Sequence, residues 1–181
     1  QQHSFKERVF EDAKRTITYL QENEWLPIYR YLEDTQHVYL LATGVTQQSQ
    51  AAELQRLLLL IGKPAQLIPA SSPSNEFKRI VERLTEKDLI FVQSLSGENR
   101  HLANVLNILS IHNSTTVSIT NMQNNWLSGR ADYSLYASSS RNPNPDDWWL
   151  QTASSFFLLI EAFAFGYMDF RRGQDHEDVR F

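Results

Sequence analysis

The residue types best suited to chemistry stand together at Ser94-Leu95-Ser96-Gly97-Glu98-Asn99. Two hydroxyls and an amide side chain can donate hydrogen bonds. The glycine lets backbone N–H groups come close to a bound group. The segment follows the apolar run Asp88-Leu89-Ile90-Phe91-Val92 and precedes a helical pattern of Leu102, Val105, Leu106, Ile108 and Leu109. The first N–H groups of a helix have no partner inside it, and the helix dipole favours negative charge there. A strand, a hydroxyl-rich turn and a helix, in that order, describe an anion pocket, and a phosphate is the anion expected. The same residues also fit an ordinary strand-to-helix turn with Ser96 as its N-cap.

A second turn of this kind is Thr43-Gly44-Val45-Thr46. Thr46 either caps the next helix or donates to the same phosphate. No Gly-Lys-Ser/Thr follows, so it is not a P-loop, and its single glycine is not a dinucleotide fingerprint. Glu98 and His101 fall one helical turn apart. Such a pair can serve as base and acid in an aldose–ketose isomerisation. It equally fits a Glu complementing a helix dipole beside a solvated His, and no catalytic residue is assigned. His3, His37, His112 and His176 are scattered without metal-ligand spacing. The chain has no cysteine, which excludes disulfides, thiolate nucleophiles and Cys-ligated zinc. No cofactor and no metal are implied.

These turns need a scaffold. The 181 residues suffice for one domain with a sizeable core. The formal net charge of -4 opposes a nucleic-acid grip by this segment, which would need a basic face. No apolar run reaches the roughly 18 residues that span a bilayer; Phe156 to Phe165 is interrupted by Glu161. No secretory signal is visible, and a cytoplasmic location is expected. The sequence does not begin with Met, so a piece of a longer protein is expected.

Residues 5 to 22 read as an amphipathic helix through Phe5, Val9, Ala13, Ile17 and Leu20, and 24 to 32 as a second with Pro27 in its first turn. Strands and helices then alternate: strand 38–42, helix 47–61 stopped by Gly62, strand 65–68 closed by Pro69, helix 75–84, strand 88–93, helix 98–112, strand 115–120 and strand 133–137. Asp146 is the expected N-cap of a final helix from Asp147 to about Phe170, and 171 to 181 a charged, fraying tail. Trp148, Trp149 and the Phe-rich run predict a helix with one face on the sheet and another on a second subunit. The fold class expected is α/β, a three-layer αβα sandwich on a five-stranded parallel sheet in flavodoxin-like order. In such sheets ligands lie beyond the carboxyl ends of the strands. The turns 43–49, 94–99 and 120–128 should therefore converge.

The Ser94–Asn99 turn resembles the Ser-x-Ser-Gly-x-Thr turn of the sugar isomerase (SIS) domain. Ile119-Thr120-Asn121, Trp126-Leu127-Ser128 with Ala131-Asp132, and the Leu57-to-Gly62 helix end are similar to further segments of that family. Within it the chain most resembles the effector domain of RpiR-type bacterial transcription regulators. The resemblance implies a linker or dimerisation segment over 1–35, a phosphosugar-binding SIS domain over 36–170 and a tail over 171–181. It implies a sugar phosphate effector held by Thr46, Ser94, Ser96, Gly97 and Asn99, and a homodimer or higher oligomer. DNA would be reached only through an N-terminal helix-turn-helix domain outside this chain, and no membrane is involved. The function implied is ligand sensing without catalysis; a phosphosugar isomerase is the alternative. Two departures are visible. Asn99 stands where the family has Thr, and the first loop carries Thr43, Val45 and Gln47 in place of smaller residues, which narrows the pocket.

Overall fold

Each short apolar strand is followed by a helical segment, so the chain must cross over and return in the same direction. The computed structural model describes residues 4–68 and 75–179. Its elements are α1 (Phe5–Glu22), α2 (Leu26–Asp34), β1 (His37–Ala42), α3 (Val45–Ile61), β2 (Ala65–Leu67), α4 (Asn75–Glu82), β3 (Asp88–Gln93), α5 (Leu102–Ile111), β4 (Thr115–Asn121), α6 (Trp126–Arg130), β5 (Tyr133–Ala137) and α7 (Ser155–Val179). The five strands form one parallel sheet in the order β2-β1-β3-β4-β5. This is the expected α/β architecture and the expected strand order.

The strand register sorts the core into two layers. Leu40 pairs with Phe91 and Phe91 with Val117; these side chains, with Leu89 and Ile119, pack against α2, α3 and α7. The alternate residues Leu41, Ile90 and Val92 face α4, α5 and α6 through Val81, Leu102, Val105, Leu109 and Leu127. The period of two along each strand produces this division. A fully buried Leu or Phe contributes roughly 1.5–3 kcal/mol. The α7 side is rich in such residues, with Phe156, Leu159, Phe163 and Tyr167 all buried.

Local signals explain several helix ends. Ser4 caps α1 by accepting from Glu7 N–H at 3.2 Å. Gly62, at φ 101°, ends α3, and the N–H groups of Gly62 and Lys63 both reach the Leu58 carbonyl.

Several boundaries differ from the sequence expectation. The helix expected over 98–112 begins at Leu102. Asn99 holds the chain in a turn, its Oδ1 accepting from His101 N–H at 3.0 Å and its carbonyl from Leu102 N–H at 3.1 Å. The final helix begins at Ser155, not Asp147. A short 3₁₀ turn at Pro145–Asp147 intervenes, capped by Asn144 rather than Asp146. The chain then doubles back through an antiparallel bridge between Arg141 and Gln151. Thr152 N–H donates to the Ser140 carbonyl, and Ser140 N–H to Thr152 Oγ1. Backbone groups so engaged are unavailable to a helix. Trp148 and Trp149 consequently sit on this loop, 66% and 62% exposed, instead of in the core. Residues 171–179, read as a fraying tail, continue α7. Trp126, expected in a loop, opens α6 behind an Asn125 capping box. Pro69 lies outside the described residues.

Candidate functional site

The carboxyl ends of β1, β3 and β4 are neighbours in the sheet, and the turns leaving them meet. Thr43 N–H donates to the Gln93 carbonyl, Ser94 N–H to that of Ile119, and Asn121 N–H to that of Leu95. Leu127 N–H reaches the Gly97 carbonyl at 2.9 Å. The convergence expected of the turns at 43–49, 94–99 and 120–128 is therefore present, and backbone bonds hold it.

Within the central turn, Ser94 is buried and its Oγ accepts from Gly97 N–H at 3.1 Å. Ser96 is exposed, its Oγ accepting from Glu98 N–H at 3.1 Å. Each hydroxyl acts as acceptor within the turn, so each keeps its own proton to donate. Gly97 has φ 69°, a region that side-chain-bearing residues rarely enter. A Cβ there would also run into the Asn125 side chain. Asn125 is held by bonds to Thr120 Oγ1, the Gln123 carbonyl and Ser128 N–H. The turn is thus braced from the β4 side. Asn99 is half-buried, and its Oδ1 is occupied by His101 N–H, so its NH₂ is the part of the side chain left to donate.

In the first turn the structure separates two neighbours. Thr46 is exposed, whereas Gln47 is buried and folds back on Gly44. Below it, Gln93 Nε2 donates to Gln50 Oε1 at 2.7 Å, and Gln50 Nε2 to the Ala153 carbonyl at 2.7 Å. Sequence reasoning took Gln47 only as bulk in the first loop and passed over Gln50, Gln93 and Asn125. Asn125 could have been found from its Asn-x-x-Ser spacing, which permits a capping box. The glutamines gave no comparable signal.

Glu98 and His101, the isomerase pair considered from sequence, are both on the surface. Glu98 Oε1 accepts from Trp126 N–H at 3.1 Å, so it braces α6. His101 is the N-cap residue of α5 and makes no side-chain cap bond. Among the described residues no group of three His, Asp or Glu side chains is placed to hold a metal.

A cavity of about 490 Å³ lies at the other end of the sheet, lined by Thr115, Thr116, Arg130, Asp132 and Tyr133 among others. Its polar groups are largely committed. Asp132 Oδ2 accepts from Thr116 N–H, Ser114 donates to the Thr85 carbonyl, and Arg130 lies over Trp126. It is also the edge away from which ligands of parallel sheets bind.

Known proteins share this architecture. The chain is 25% identical over 172 residues to the HTH-type transcriptional regulator GlvR of Bacillus subtilis (strain 168), a match covering 95% of the chain and 66% of GlvR. It therefore spans just under two thirds of that relative. The sugar isomerase domain of an RpiR transcription factor from Sphaerobacter thermophilus superposes with a TM-score of 0.70 at 13% identity, over 93% of this chain and 97% of that one. The Vibrio vulnificus NanR protein, solved in complex with ManNAc-6P, gives 0.71 at 16% identity, over 99% and 69%. At such identities the structures establish likeness of fold. The model of the SIS domain matches residues 31–162, and the chain belongs to the SIS domain family.

Proposed function

We propose that this chain is the phosphosugar-sensing domain of an RpiR-type bacterial transcription regulator, working in the cytoplasm without catalysis. The observation that carries the reading is the match to GlvR along 95% of the chain. The rest of a regulator of that kind would supply a helix-turn-helix domain ahead of residue 1, in keeping with the chain's net charge of -4. Residues 1–35 then serve as linker, 36–170 as the SIS domain and 171–181 as its tail.

The phosphate is assigned to the Ser94–Asn99 turn. Ser96 Oγ–H and the Asn99 amide donate from the surface, with Gly97 shaping the backbone and Ser94 holding the turn from beneath. Thr46 approaches from the first turn. NanR has been seen with a sugar phosphate, which supports that ligand class. Exposed Phe157, Leu158 and Phe165 on α7 favour a dimer through that helix. Among the described residues no helix is long and apolar enough to cross a membrane. Absence of turnover is supported by the engagement of Glu98 with Trp126.

Calorimetric titration with a panel of sugar phosphates tests the reading. Saturable binding that Ser96→Ala weakens is expected. No binding by any member of the panel would refute it. Conversion of an aldose phosphate to its ketose, abolished by Glu98→Gln, would establish the isomerase instead. A monomeric mass by light scattering would remove the dimer.

A further inference from the structure

Three side chains on the α3–α7 side of these strand ends are buried with hydrogen-bonding capacity unused. Gln93 ends β3 and is 1% exposed. Its amide orientation follows from its neighbours. Gln50 turns its NH₂ to the Ala153 carbonyl, so its oxygen faces Gln93, which must present NH₂ in return. Gln93 Oε1 is left without a donor. Ser155, two residues beyond Ala153 at the start of α7, is 2% exposed, and its hydroxyl has no partner. Gln47 lies one turn before Gln50 on α3. It is 7% exposed, and its carboxamide has no hydrogen-bond partner among the described residues. Native proteins leave few buried polar groups unpaired, and each such group asks for a physical reason.

The three lie on contiguous elements. The Gln93–Gln50–Ala153 chain of bonds ties β3, α3 and the approach to α7 together, and Gln93 directly precedes Ser94. Their combined needs are specific. Gln93 Oε1 needs a hydrogen-bond donor, Ser155 Oγ–H needs an acceptor, and Gln47 offers both. Hydroxyl groups meet all three, since each both donates and accepts. None of the three side chains carries charge.

We propose that Gln47, Gln93 and Ser155 form the subsite for the hydroxyl groups of a neutral sugar whose phosphate sits on the Ser94–Asn99 turn; this deepens the phosphosugar reading and rests on it. Gln93 Oε1 and Ser155 Oγ are out of reach of solvent; in this proposal the ligand enters from the side of Gln47, the most exposed of the three and without a hydrogen bond to break. The subsite selects neutral sugar phosphates over sugar acids, because a carboxylate would find no cation there.

The test titrates the intact chain with neutral mono- and disaccharide phosphates, 6-phosphogluconate and inorganic phosphate. Wild type is compared with Ser155→Ala, Gln47→Ala and Ser96→Ala. The tightest neutral sugar phosphate should lose about tenfold or more in Ser155→Ala and in Gln47→Ala, while inorganic phosphate moves by less than about twofold. Ser96→Ala should weaken both. Without ligand, the melting temperature of Ser155→Ala should not fall, because the hydroxyl removed had no partner; a fall would mark a structural residue and overturn its assignment. Sugar affinity unchanged in both Ser155→Ala and Gln47→Ala, with Ser96→Ala still weakening it, overturns the subsite and leaves the phosphate site standing. Tighter binding of 6-phosphogluconate overturns the neutral preference. Wild type that binds no sugar phosphate overturns subsite and sensor together.

Discussion

Thr152 donates a 2.6 Å hydrogen bond to Asp12 Oδ2, joining the first helix to the segment before the last across 140 residues of sequence. Asp12 Oδ1 accepts in addition from Ser138 at 2.7 Å and Ser140 at 2.9 Å. Thr16, one turn further along α1, accepts from Ser138 N–H. Asp12 is 2% exposed, and a carboxylate is tolerated at that depth because three hydroxyls replace its water. The loop that donates these bonds also touches the candidate site, since Ser139 N–H donates to Asn121 Oδ1 at the end of β4. The first helix is thus fastened to the rim of the candidate site.

Removing the acceptor should be expensive. Asp12→Ala strands three hydroxyls and is expected to lower unfolding free energy by about 2–3 kcal/mol. Asp12→Asn, which keeps one oxygen acceptor, should lose less. Urea denaturation of the three proteins reads this directly, and a loss in Asp12→Ala within about 0.5 kcal/mol of zero, the range of ordinary surface changes, would contradict the account.

Gly97→Ala faces two penalties together. Its φ of 69° is unfavourable for alanine, and the new Cβ meets an Asn125 side chain that three bonds hold in place. A destabilisation of about 2 kcal/mol or more is expected. Sugar-phosphate binding should be lost with it. Full affinity in a folded Gly97→Ala protein would detach the turn from the site.

The sequence carried the scaffold further than the site. Each strand has a local apolar or β-branched run, and Gly62 announces the end of α3, so the parallel sheet could be read from pattern, whereas its strand order went with the resemblance to the SIS fold. The start of α7 could not. Trp148-Trp149-Leu150 imitates the opening of an apolar helix, and only the pairing of Arg141 with Gln151 shows the chain turning back. Thr46 attracted attention by its hydroxyl, yet helical geometry aims Gln47 inward and leaves Thr46 in solvent. The buried glutamines were illegible for a physical reason. A polar side chain is buried only where partners meet it, and the bonds of Gln50 reach 43 and 103 residues away.

Alkali should weaken the α2–α7 seam. Burial raises the phenol pKa of Tyr29, with Asp169 adding to the effect, and burial raises that of Tyr167, with Glu33 contributing. Below the ordinary tyrosine value of about 10 both states keep their protons, and stability is unaffected. Above it the unfolded chain ionises while the folded phenols stay neutral, so the folded state holds more protons and stability falls as pH rises. Urea midpoints measured upward from neutrality should drop steeply beyond about pH 10. Tyr29→Phe should flatten that drop although it weakens the protein at neutral pH. An unchanged slope would show that Tyr29 ionises as freely folded as unfolded.

The same tyrosine fixes the sign of a substitution that helix propensity alone would predict wrongly. Gly166 lies inside α7, where alanine ordinarily gains about 1 kcal/mol over glycine. Here the added Cβ would overlap Tyr29 Oη, which donates to the Phe163 carbonyl at 2.9 Å. Tyr29 is itself wedged against Phe163, Tyr167 and Phe170, so its ring has little room to retreat. Gly166→Ala should therefore destabilise, by about 1–3 kcal/mol as overpacking does. In a Tyr29→Phe background the hydroxyl is gone and the propensity gain should reappear. A double-mutant cycle should give a coupling above about 0.5 kcal/mol in the rescuing direction. Additive effects would mean that α7 moves away from α2 at no cost, and that the ring cluster between them does not set the position of the last helix.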